Sequence, residues 1–163
     1  MANAIDVADY VVYRANKENS PVSNLMLQKV LYFLNTIHLL KNGKPLINDF
    51  KFEKWGYGPV LIEVYSEYAS NGAYVIKKPS LNIFIHRGKN GVSIEQKDFS
   101  KEDLNFVSRD FIDNNIHYFI NKDPFYLVKK SREEDQWQRL STNDKYDDSG
   151  TIKFYKNHKS WND

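Results

Sequence analysis

Cysteine is absent from the 163 residues, which excludes disulfides, thiolate metal ligands and a cysteine nucleophile and gives no reason to expect an oxidising compartment. Long apolar runs are missing too, since no stretch approaches the roughly 20 residues that a membrane span needs. The N-terminal MANAIDVADYVVYRANKEN carries Asp6 and Asp9 inside its apolar stretch and has no basic region ahead of it, which does not fit a secretory signal. Together these absences predict a cytoplasmic protein with no membrane partner. Neither a G-x-G-x-x-G fingerprint nor a Walker loop occurs, because Gly56-Tyr57-Gly58-Pro59 lacks the lysine and hydroxyl residue that must follow. No cofactor is expected. His38, His86, His117 and His158 fall on different segments, none spaced to place two on one helical face, so no metal site is expected. An excess of one charge sign is missing too: 23 lysines and arginines against 21 aspartates and glutamates leave a net of +2, too small to imply nucleic acid by itself.

What the chain does have is aromatic residues, 15% of the total, and strong helical periodicity. Its length suits one domain, residues 1–163, with a real core. Ile5, Ala8, Val11, Val12 and Ala15 predict a first helix over 4–16. Ser23 can cap a second one, in which Leu27, Val30, Leu31, Leu34, Ile37 and Leu40 lead to a left-handed stop at Asn42-Gly43. That helix is apolar over more than half its circumference and should be central.

Phe50, Phe52 and Trp55 alternate with charges and predict a short extended segment, after which Pro59 suits the first turn of a third helix running to Asn71-Gly72. Leu81–Ile85 and Val92–Glu95 around Arg87-Gly88-Lys89-Asn90-Gly91 predict a β-hairpin. Ser100-Lys101-Glu102-Asp103 resembles a capping box opening a fourth helix to about Phe119, and Asp123-Pro124 opens a fifth. Residues 143–150 predict a polar loop, 151–157 a last short helix, and Ser160–Asp163 a loose tail. The predicted fold is α+β and predominantly helical: a bundle around the helix at about 23–41 with a small hairpin at about 81–96.

The stretch KWGYGPV, Lys54 to Val60, reads first as a rigid elbow, because Gly56 and Gly58 allow turns closed to other residues while Pro59 fixes the outgoing direction. An elbow with an exposed aromatic edge is also a partner surface. Trp55 and Tyr57 are the expected contact residues, with Tyr65 and Tyr68 beside them; core packing is the competing reading of all four. Lys77, Lys78, Arg87, Lys89 and Lys97 face one acid, Glu95, between residues 76 and 97. Arg87 and Lys89 are therefore the candidate phosphate contacts of an alternative reading, a nucleic-acid-binding regulator. A further rival is an enzyme with a carboxylate pocket around Glu53 and Glu63. The residues contain no recognisable reactive group, and a non-enzymatic role is expected.

The string N-L-M-L-Q-K-V-L-Y-F at 24–33, G-K-P-L at 43–46, F-E-K-W-G-Y-G-P-V at 52–60 and V-Y at 64–65 resembles the Panacea family of SocA-like antitoxin domains, common in phages and mobile elements. A stretch similar to the family's L-x-x-x-T-H-x-x-x-x-W occurs at 127–137, with Ser131 for threonine, Arg132 for histidine and Gln136 where proline is usual. The resemblance implies an antitoxin that neutralises a cognate protein toxin, encoded by an adjacent gene, by direct binding. In SocA-like members it implies an adaptor that delivers the toxin to a protease.

Overall fold

The computed structural model describes residues 2–80 and 82–158. Leu81, at the expected start of the hairpin, and the Ser160–Asp163 tail lie outside the described residues.

Helix α2 (Asn24–Asn42) is the axis of the molecule. The Ser23 hydroxyl accepts from Met26 N at its start, and Gly43, at φ +70°, closes it by donating to Leu39 O, a conformation glycine adopts without steric cost. Leu27, Val30, Leu31 and Leu34 are fully buried, so truncating any of them to alanine removes about 2–5 kcal/mol. Helix α1 (Ala4–Lys17), capped by Asn3, packs Val7, Ala8, Val11 and Val12 onto the same core. Helix α4 (Phe106–Asn115) is tied to α1 by the Tyr10 hydroxyl and the Arg14 guanidinium, both on Asp113 at 3.0 Å. Helices α5 (Pro124–Arg132), α6 (Asp135–Arg139) and α7 (Asp148–Lys156) complete the bundle. Two antiparallel hairpins, β1–β2 (Glu53–Trp55 and Gly58–Val60) and β3–β4 (Asn82–Gly88 and Gly91–Lys97), make it a predominantly helical α+β fold.

Several boundaries differ from expectation. Pro59 does not start a helix; it sits in β2 opposite Lys54, and α3 (Ile62–Glu67) begins three residues later. The reason lies outside the local sequence. Lys54 turns its amide and carbonyl outward to Asp144 O (2.9 Å) and Asn143 N (2.8 Å), so Lys54–Pro59 is a pair that needs no ladder bond and the missing proline N–H costs nothing. The Ser100 box forms, but it closes a single 3₁₀ turn, Lys101–Asp103. Leu104 then leaves the helical path to bury its side chain, and Asn105 caps α4. Trp137 lies in α6, which the sequence reading did not include, and α7 starts earlier than expected because Asp147 accepts from Gly150 N.

Candidate protein-binding surface

The elbow is held from below by polar residues of α2. Asn24 donates to Tyr65 O (3.0 Å), Gln28 accepts from Leu61 N (2.9 Å), and Lys29 Nζ donates to Pro59 O (2.7 Å). All three side chains are buried. They replace the backbone partners that residues 59–65 lack, and unmet buried polar groups of this kind are costly. Lys29 is fully buried, and burial lowers its ammonium to about 7. Gly58, at φ +100°, leaves room for this arrangement: a Cβ there would run into the Ser131 hydroxyl and come within 3.1 Å of the lysine stem. Ser131 itself donates to Val128 O (2.7 Å).

From the other side α6 brings in Trp137, whose indole N–H donates to Trp55 O (2.9 Å). Lys54 lies over the Trp137 ring at 4.2 Å and donates to Leu140 O (2.7 Å), while Arg132 covers the same ring at 4.8 Å. Glu53 is buried and bound by Lys145 (2.8 Å) and the Trp55 indole (2.7 Å). Burial pushes its carboxyl up, but the two donors and the Lys145 charge outweigh that and hold it below the usual range. Behind this wall Tyr32 and Tyr155 donate to the buried Glu134, at 2.5 and 2.8 Å; burial nevertheless raises that carboxyl to about 7.

On this base the structure places the expected contact residues unequally. Tyr57 occupies the two-residue turn Gly56–Tyr57 between Trp55 and Gly58 and is 61% exposed. Trp55 is half-buried, with its ring 4.9 Å from that of Tyr65, which is 38% exposed. Tyr68 is a correction: it is 1% exposed, donates to the buried carboxylate of Asp9 (2.5 Å) and accepts from Ser80 N (2.9 Å). Its partners stand 59 and 12 residues away in sequence, so the contacts that hold it inward leave no mark in the local sequence.

One residue that sequence reasoning did not single out joins the surface. Phe125, 62% exposed, sets its ring 6.5 Å from Tyr57. An open groove of about 540 Å³ runs from Tyr57 and Phe125 past Val128 and Arg132 to Trp137. Asn24, Gln28 and Lys29 were equally unassigned, although polar residues interrupting so apolar a helix were a visible signal. Glu53, taken up by Lys145 and Trp55, is a brace. Arg87 and Lys89 lie exposed at the tip of β3–β4, where Arg87 pairs across to Val92. Among the described residues no group of three or more histidines and carboxylates is placed to hold a metal ion, and no helix is long and apolar enough to cross a membrane.

What the elbow and groove offer chemically is a fixed aromatic platform with cations along one wall. A family model described as "Antitoxin SocA-like, Panacea domain" matches residues 27–138, a span that takes in both Lys29 and Trp137. Antitoxin SocA of Caulobacter vibrioides (strain NA1000 / CB15N) is 42% identical over 73 residues, 44% of this chain and 38% of that relative, so the chain spans well under half of the relative's length. No solved structure matches. On a family match covering most of its length, and with the clamped elbow inside that match, the chain belongs to the SocA-like antitoxin family with a Panacea domain.

Proposed function

We propose that this antitoxin-family protein neutralises a cognate protein toxin, the product of an adjacent gene, by binding it directly through the elbow. Trp55, Tyr57 and Tyr65, with the groove beside Phe125, would cover the toxin's working face. The carrying observation is that Tyr57 stands 61% exposed on a turn whose flanks are clamped by Lys29, Gln28 and Trp137. A large aromatic on a preformed base loses little conformational entropy on binding, and such residues carry most interface energy. Occlusion is therefore the mechanism proposed, with delivery to a protease as an added step only if toxin levels prove to depend on one. The test is co-expression with the adjacent gene product. The expected result is restored growth and copurification of the two chains; a toxin that stays toxic and never copurifies would overturn the reading.

A further inference from the structure

The β3–β4 hairpin is the region that toxin binding at the elbow leaves unused. Its register pairs Ile83 with Gln96, Ile85 with Ile94 and Arg87 with Val92, which puts these six side chains on one face. Ile83, Ile85, Val92 and Ile94 are 63–71% exposed there, and every residue of β4 is exposed. A two-stranded hairpin alone is marginally stable in water. This one bares on the order of 500 Å² of aliphatic stripe, as much as the largest apolar patch of a typical monomer.

The same chain carries a complementary patch. Arg87 and Lys89 stand at the hairpin tip, and among the described residues neither is in an ion pair. At the hairpin base begins a segment of opposite sign, in which Asp98, Glu102 and Asp110 are exposed while Asp103 is taken up by Lys97. Phe106 and Val107, 71% and 74% exposed, open α4 beside these acids. A strand of seven residues is about 20 Å long. Two hairpins laid antiparallel and face to face about the Ile85–Ile94 pair would therefore bring each tip to the other's base. A two-fold axis makes both ends identical, so the contact closes on itself.

We propose that the β3–β4 hairpin is a homodimerisation arm: its isoleucine–valine stripe packs on that of a second copy, with Arg87 and Lys89 set against the partner's Asp98 and the partner's Glu102. With Phe106 and Val107 included, the contact covers roughly 1,500 Å² in total, about the standard size of a specific interface. Nucleic acid fits this face less well, since it offers two cations beside aliphatic side chains, whereas strand binding relies on aromatic stacking.

Sedimentation equilibrium of the full chain tests this without any toxin. The expected mass is twice the 19.2 kDa of one chain. Ile85→Asp should weaken the dimer by about 100-fold or more, with the helical circular dichroism unchanged. The double variants Arg87→Glu/Lys89→Glu and Asp98→Lys/Glu102→Lys should each weaken self-association about tenfold at low salt, and mixing them should restore a dimer because both contacts are then of opposite sign. A chain that sediments at 19.2 kDa, a dimer indifferent to Ile85→Asp, or a mixture that fails to recover would overturn the proposal. So would a monomer that binds a DNA duplex and loses it on Arg87→Glu/Lys89→Glu, or that binds the toxin and loses it on Ile85→Asp.

Discussion

The two hairpins of this molecule follow one pairing rule and differ in everything around them. β3–β4 has seven residues to a strand, rich in β-branched side chains, yet it packs chiefly on itself in the open. β1–β2 has only three to a strand, interrupted by glycine and proline, yet β2 is buried throughout. What anchors the short hairpin is not strand propensity but the side chains that reach it from α2 and α6: Lys29 on Pro59 O and Trp137 on Trp55 O, with Gln28 on Leu61 N just beyond it. Exposure thus means different things in the two places. Tyr57 is an exposed residue on a fixed base, whereas Ile85 and Ile94 are exposed residues on an arm without a floor.

The two hairpins differ most at glycine. Gly58 and Gly91 both have positive φ, +100° and +115°, but a Cβ at Gly58 meets Ser131 and Lys29 while one at Gly91 meets nothing within 4 Å. Gly58→Ala should cost about 3 kcal/mol in urea unfolding, combining backbone strain with overpacking. Gly91→Ala should move global stability by less than about 0.5 kcal/mol, because its strain can be relieved by opening the hairpin locally. Similar losses at both positions would erase the distinction.

Lys29 falls from 10.5 to about 7 on folding, so between those values the unfolded chain binds the extra proton and stability should rise with pH, being lost as pH falls through 7. Glu134 rises from 4.5 to about 7, so its contribution is present below 4.5 and is lost as pH rises through 7. The two limbs predict a shallow stability minimum near neutrality. Lys29→Met should remove the alkaline limb and Glu134→Gln the acid one; variants that keep both limbs would refute the assignment.

A smaller effect is expected at the upper brace. Trp137→Phe deletes the donor to Trp55 O and should cost about 1–2 kcal/mol. Amide exchange at residues 53–60 should accelerate, with that of 82–97 unchanged. Acceleration in both hairpins would show that the arm is not independent.

Much of this was legible in local signals. Ser23 and Gly43 bound α2, Asp123-Pro124 opens α5, and the Gly-rich turn between two aliphatic runs marks β3–β4, because caps, breakers and periodicity act within a few residues. The elbow was less so. That Pro59 lies in a strand depends on Asn143 and Asp144 occupying the outer edge of Lys54, and that Tyr68 is buried depends on Asp9 and Ser80. Neither contact has a local trace. The polar residues Asn24, Gln28 and Lys29 were visible as interruptions in an apolar helix, but their role appears only when residues 59, 61 and 65 are laid against them.

The most direct test of the elbow as a binding face is Tyr57→Ala, assayed for both thermal stability and affinity for the adjacent gene product. The account predicts a stability within about 0.5 kcal/mol of the parent and an affinity reduced by roughly 30-fold, the loss expected of an aromatic hot spot. Undiminished affinity in a folded Tyr57→Ala protein would contradict it.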